Sequence, residues 1–223
     1  MTDCTICTLK QAQEISGKIT ISNWKMPGSS FPTTTKKCKV GSKLKKIENS
    51  VCSKCYAARL EAYRANVEEG WLNNWKKTEK MVNQNMKLWC QGIVYQINHF
   101  LKRTDQHYHR WFDSGDLESV EWLIAIARVA RLTPKVKHWL PTREAAIVSE
   151  FKRKHKIPNN LVIRVSSAMI DAKPLTRFKN TSTVHRKNNH IGYGCPAKKQ
   201  GNQCLDCRAC WNKKVKNISY PYH

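Results

Sequence analysis

The sequence predicts an α/β protein built on a parallel sheet, and three observations predict it. Between residues 108 and 166 short apolar runs alternate with amphipathic helical stretches, the pattern that βαβ units leave in a chain. The 223 residues suffice for one large domain with a small appendage, which buries about 70% of its unfolded surface without needing disulfides. Ten cysteines fall into spaced groups in a chain without a secretion signal, which reads as metal ligation because the cytosol keeps thiols reduced.

Taken in order, residues 1–17 form an N-terminal segment with the C-x2-C of Cys4 and Cys7. The alternation over Lys18–Asn23 predicts a strand, and the turn-rich stretch 26–35, with Pro27, Gly28 and Pro32, predicts a long loop that carries Cys38. Leu60, Tyr63, Val67, Trp71 and Trp75, then Met86, Trp89, Ile93, Ile97 and Leu101, recur at three- and four-residue steps and predict two helices between 56 and 103. Strands are expected at 108–113, 136–140 and 161–166, and helices at 117–132 and 143–155. Asp116 is expected to cap the first of these helices and Thr133-Pro134 to stop it. Weaker strands follow at 182–185 and 215–220. The division is therefore 1–17, a sheet-bearing unit over 18–189, and a cysteine-rich region over 190–223.

The apolar fraction of 40% excludes a wholly disordered chain. No apolar run approaches the roughly 20 residues of a membrane span, and the polar start lacks a signal peptide's pattern, so a soluble, cytoplasmic protein is expected. Forty Lys and Arg against sixteen Asp and Glu leave a net charge of +24, which points to nucleic acid or a phosphorylated substrate as partner.

Cys195, Cys204, Cys207 and Cys210 form C-x8-C-x2-C-x2-C. Thiolates at two-residue gaps resemble the bacterial ferredoxin run, which points several sulfurs at one [4Fe–4S] cube; four thiolates satisfy tetrahedral zinc equally well. Cys38, Cys52 and Cys55 give a cubane three ligands and leave one iron open for chemistry. The competing assignment, a zinc knuckle of Cys4 and Cys7 with Cys52 and Cys55, spans a 44-residue gap and strands Cys38. Cys90, among Trp89, Ile93 and Ile97, reads as an inert buried thiol. The turn Asp113-Ser114-Gly115-Asp116 sits where a strand opens into a helix, the place where α/β proteins bind ligands and also where an ordinary capped βα turn occurs.

The box ending Cys55-Tyr56-Ala57, the strand Trp111 to Asp116, the helix end Leu132-Thr133-Pro134 and the strand Lys137 to Glu144 together resemble a phage-encoded family of unknown function related to the radical S-adenosylmethionine superfamily. The resemblance covers roughly 18–171, the C-terminal cysteine box being particular to the phage family. It implies a partial parallel (βα) barrel with a C-terminal cysteine-rich cap, and a [4Fe–4S] cluster on Cys38, Cys52 and Cys55 whose free iron chelates S-adenosylmethionine. Ser114, Gly115 and Asp116 stand like the superfamily's Gly-Gly-Glu turn, with Thr142, Arg143, Ser166 and Ser167 facing the same pocket. Two departures are a thirteen-residue first gap, where the superfamily motif has three, and Asp in place of Glu.

The activity so implied is reductive cleavage of S-adenosylmethionine to a 5′-deoxyadenosyl radical, fed by an external electron donor. The C-terminal set would hold an auxiliary [4Fe–4S] cluster or zinc, and the charge favours a nucleic acid or nucleotide substrate. The alternative is a non-enzymatic nucleic-acid-binding protein stapled by zinc or iron–sulfur sites, stacking bases on Trp75, Tyr108 and Trp211.

Overall fold

The computed structural model describes residues 6–23, 25–186 and 190–222. Cys4 lies outside them, so the reading that involved it is not addressed by the structure.

The first helix, α1 (Leu9–Ser16), was not predicted, although Thr8 and Gln11 form a capping box that marks its start. Strand β1 (Thr20–Asn23) matches the expected strand and pairs antiparallel with β2 (Met26–Phe31). Strand β2 corrects the sequence reading, which took 26–35 as loop. Its Gly28 has φ +79°, and a Cβ there would lie 1.9 Å from the Tyr108 carbonyl oxygen, so the glycine marks the approach of a neighbouring strand rather than a turn.

A 3₁₀ turn (Thr35–Lys37) and helix α2 (Lys39–Leu44) flank Cys38. Helix α3 (Tyr56–Tyr63) ends at Arg64, whose extended backbone separates it from α4 (Ala65–Leu101). Helix α4 is kinked at Asn85, whose side chain accepts from the Leu88 amide and so restarts the helix.

Then follow β3 (Tyr108–Trp111), α5 (Val120–Leu132), β4 (Lys137–Thr142), α6 (Ala145–Lys154), β5 (Leu161–Ser166), β6 (Thr181–His185), β7 (Tyr193–Gly194) and β8 (Asn217–Pro221). Helix α5 starts three residues later than expected and its cap is Ser119, not Asp116: the Ser119 hydroxyl accepts from the Trp122 amide. The Asp116 carboxylate is engaged elsewhere.

The eight strands form one sheet in the order β1-β2-β3-β4-β5-β6-β8-β7, parallel except at β1. The sheet is open, ending at β1 and β7. Strand alternation sorts its two faces. One face carries Trp111, Leu140, Ile163 and Val165 and packs against α4, α5 and α6 through Trp89, Ile93, Trp122, Ile126 and Phe151. On the same side the neutral His109 and His138 are buried, bonded to Ser29 and Thr133. The opposite face carries Tyr108, Arg110, Trp139 and Arg164. Trp139 packs with Met26, Cys210, Trp211 and Ile218 in a second, smaller cluster.

Candidate functional site

Because the strands from β2 to β8 run parallel, their carboxyl ends gather on one edge, where open α/β sheets bind ligands. A cavity of about 460 Å³ opens there. It is lined by Cys38, Cys52 and Cys55, by Ser114, Gly115 and Asp116, by Thr142 and Arg143, and by Ser166 and Ser167. All nine residues expected around the first cysteine set, together with Ser167, thus meet in one space.

The loop bearing the three cysteines is cross-braced. Buried Glu61, on the helix that follows Cys55, accepts from the Thr34 hydroxyl and from the amide and hydroxyl of Thr35, just ahead of Cys38. Glu144 accepts from the Val40 amide at 2.9 Å, and Val51 N–H donates to the Ala168 carbonyl at 2.9 Å. Tyr56 donates to the Asp113 carbonyl at 2.8 Å. Between the sulfurs sits Gly41: a Cβ on it would stand 3.6 Å from Cys52 Sγ and 3.8 Å from Cys38 Sγ, so the missing side chain keeps that space clear. Burial pushes the Cys38 and Cys52 thiols above their usual pKa, opposed by Lys45 at both and by Arg143 at Cys52. Thiols of this kind ionise when a metal replaces the proton.

At the opposite wall, Gly115 has φ +79°, and a Cβ there would lie 2.0 Å from Thr33 Oγ1, so this position admits no side chain. Asp116, buried, accepts from the Leu117 amide at 2.8 Å, the Thr142 hydroxyl at 2.5 Å and the Arg143 amide at 2.9 Å. Its carboxylate therefore clamps the end of β3 to the end of β4, which makes it a positioning residue for the turn. Burial nevertheless raises its pKa, against the pull of these three bonds and of Arg143. Ser114 Oγ and Asp113 Oδ1 remain without hydrogen-bond partners in the cavity wall.

None of the second cysteine set lines the cavity; Cys195, Cys204 and Cys210 belong to the smaller cluster around Trp139 and Trp211. Cys210 Sγ and the Tyr220 hydroxyl are 3.3 Å apart, and Cys207 Sγ and the Tyr193 hydroxyl 3.4 Å. Cys195 and Cys204 are fixed through their amides to the Ser219 and Lys25 carbonyls. Burial pushes the Cys210 thiol up to about 12. Arg164, wholly buried, donates to six carbonyls, including those of Ala209, Cys210 and Asn212, and so seats this segment on the sheet. Periodicity treated Arg164 as one position of an apolar strand and missed it; a lone arginine inside Leu-Val-Ile-Arg-Val-Ser was the available signal.

Among the described residues, no group of three or more His, Cys, Asp or Glu stands as a single metal ion would draw it together. Cys90 donates to the Ala125 carbonyl between α4 and α5, and burial pushes its thiol up to about 12, an inert position as expected. The aromatic residues read as exposed are a correction: Trp211 is 5% exposed and donates to the His109 carbonyl, Tyr108 packs edge-on against it, and half-buried Trp75 packs against the core with Lys37 over its ring.

The sequence model of the family described as Gene product 88 matches residues 6–213. The chain belongs to the Gene product 88 family. This is a family of phage gene products of unknown function. No curated protein and no solved structure matches the chain. The match spans the three cavity cysteines, the Ser114–Asp116 turn and the four C-terminal cysteines, and ends before Tyr220, Pro221 and Tyr222, which also line the cavity. No helix among the described residues is long and apolar enough to cross a membrane.

Proposed function

We propose that this Gene product 88 chain is an iron–sulfur enzyme of the radical S-adenosylmethionine type, acting on a nucleic acid or nucleotide. In this reading the open sheet is a partial parallel barrel, and the C-terminal cysteines cap it and hold an auxiliary cluster, with zinc as the alternative there. The observation that carries the reading is the convergence of Cys38, Cys52 and Cys55 with the Ser114–Asp116 turn, Thr142, Arg143 and Ser166 on one cavity at the carboxyl ends of the strands.

The donor set fits a [4Fe–4S] cluster in chemistry: three thiols, buried or half-buried, in a braced loop, where Lys45 and Arg143 offset only part of the burial that raises the free Cys38 and Cys52 thiols. A cubane spreads its cysteine sulfurs over separate iron corners, so it does not require the close grouping of a single ion. When bound, the cluster supplies the electron that cleaves S-adenosylmethionine to methionine and a 5′-deoxyadenosyl radical. The chain's own part is binding and orientation. Cys38, Cys52 and Cys55 would hold three of the cluster's irons and leave the fourth for a further ligand. Ser114 Oγ, unpartnered in the wall, and the neighbouring backbone would offer hydrogen bonds to the methionyl end of S-adenosylmethionine, Asp116 fixes that turn, and Arg143 would supply a positive charge for the methionyl carboxylate. Phe112, Trp139 and Pro141 give the cavity an apolar stretch of wall.

The alternative is a non-enzymatic nucleic-acid-binding protein, which rests on the basic charge; of the three aromatics it would stack on bases, Trp211 is buried while Trp75 and Tyr108 are partly buried. The test is anaerobic reconstitution of the full chain, followed by incubation with dithionite and S-adenosylmethionine. The proposal expects 5′-deoxyadenosine from the wild type and from a control such as Cys90→Ser, and none from Cys55→Ser. Equal product from Cys55→Ser and wild type, or none from either at full iron loading, overturns it.

A further inference from the structure

Beneath the turn, on the face of the sheet away from the helices, Arg110 of β3 and Trp139 of β4 are ladder partners, and both line the cavity. The guanidinium carbon of Arg110 lies 4.7 Å from the Trp139 ring centroid. Two of their donors have no acceptor: Arg110 Nε, on a half-buried side chain, and Trp139 Nε1 are buried without partners, and Trp139 is 6% exposed. Arg110 Nη1 reaches only the soft acceptor Met26 Sδ, at 3.9 Å. The ion pairs among the described residues are Lys36–Glu68, Lys39–Glu118 and Arg186–Asp171, so no carboxylate pairs with Arg110. The Asp113 carboxylate, in the same wall, interacts with the Arg110 charge from beyond ion-pair distance, but a buried guanidinium Nε–H beside a buried indole N–H, neither with an acceptor, is costly in a closed fold. Both atoms want the same thing, a compact oxyanion.

We infer that this part of the cavity binds an oxyanion of the substrate, a phosphate or carboxylate group, between Arg110 and Trp139. The Trp139 ring lies against the guanidinium, and the unpartnered Nε–H and indole N–H of these two neighbours are two donors for one group of oxygens. Asp113 Oδ1 and Ser114 Oγ, unpartnered in the same wall, then serve hydroxyl or amino groups of that molecule. The substrate class is a small polyhydroxylated or aminated anion, or one nucleotide of a longer chain turned into the cavity. The inference rests on the cavity being the substrate site of the proposed enzyme, but it involves none of the cysteines.

The test is titration of the purified full chain with inorganic phosphate and, separately, with malonate, by calorimetry at constant ionic strength. One saturable site is expected, weakened tenfold or more in Arg110→Gln, several-fold in Trp139→Phe, and unchanged in Arg186→Gln, which alters an exposed cation. The tighter of the two probes names the source of the oxyanion. Trp139→Phe keeps the ring on Arg110 and removes only the N–H, so it carries the test if Arg110→Gln does not fold. Absence of a saturable site for either probe, or a site indifferent to Trp139→Phe and to any folded Arg110 variant, overturns the inference. So does a phosphate site that vanishes once the C-terminal cysteines are loaded with metal, because Arg110 would then be the counter-charge of those thiolates. The readout needs no cluster: phosphate binding without S-adenosylmethionine cleavage would reject the enzyme reading and keep the anion site.

Discussion

Replacing Arg164 by Met keeps much of the side chain's length and apolar stem while removing every donor that ties the C-terminal cysteine segment to the sheet. In the native chain Nε donates to the Cys210 carbonyl at 3.1 Å, Nη1 to Val215 at 3.0 Å, and Nη2 to Ala209 at 3.0 Å and Asn212 at 2.9 Å, with longer contacts to Thr181 and Lys216 at 3.4 Å. The four short bonds have good geometry, and each carbonyl left dry costs about 1–3 kcal/mol. Burying the guanidinium is itself unfavourable, and its removal returns part of that sum. The expected net loss is about 3–5 kcal/mol, a large share of the roughly 5–15 kcal/mol of a typical domain. For a chain of this size that lowers Tm by roughly 6–20 °C. Hydrogen exchange and limited proteolysis should place the loss in residues 195–222, with the helical face protected as before. An unchanged melt and an unchanged digestion pattern would refute the role assigned to Arg164.

Asp116→Asn keeps the shape of the clamp but turns one acceptor into a donor against the Thr142 hydroxyl, the Leu117 amide or the Arg143 amide; a loss of about 1–3 kcal/mol in urea unfolding is expected. Burial holds His138 neutral, its pKa pushed down to about 3, whereas the unfolded chain takes up that proton near ~6.5. Stability is therefore complete above about pH 6.5 and falls on acidification through the window down to about 3, by roughly 2–3 kcal/mol at about pH 4.5. His138→Asn should flatten that slope in urea titrations at several pH values, and an identical slope would contradict it. Oligonucleotide binding by so basic a chain should weaken with salt, log K falling by about 0.9 per neutralised phosphate on duplex or about 0.7 on single strands. Fluorescence titration of short DNA and RNA oligomers measures it, and the lack of saturable binding at low salt would move the substrate to a small anion.

The strands and helices from β3 to β5 were legible because their faces are sharply sorted: Leu161–Ser166 was read with its observed bounds, and α5 carries apolar residues at helical spacing, whereas the two-residue β7 was not read. Strand β2 was hidden because Pro27 and Gly28 are punctuation in most sequences, whereas here the glycine admits the backbone of β3. Helix α1 was hidden by its length, eight residues with little apolar content, although its capping box was readable. The cavity residues were legible through the cysteine spacing and the Ser114-Gly115-Asp116 turn. Their braces were not: Glu61 and Glu144 look like surface carboxylates until the fold brings Thr34, Thr35 and Val40 to them. Arg110 and Trp139 gain their meaning only from ladder register, which joins residues 29 positions apart.

The central claim is that Cys38, Cys52 and Cys55 hold a cluster with an open iron in this cavity. The direct measurement is iron and sulfide content together with the electron paramagnetic resonance spectrum of the reconstituted, reduced full chain, with and without S-adenosylmethionine. The account predicts about eight irons per chain, four at each cysteine set. It also predicts a signal that changes when S-adenosylmethionine is added, and a Cys55→Ser protein that keeps about four irons and loses that response. A chain that takes up about two zinc and no iron, or a cluster signal indifferent to S-adenosylmethionine, would contradict it.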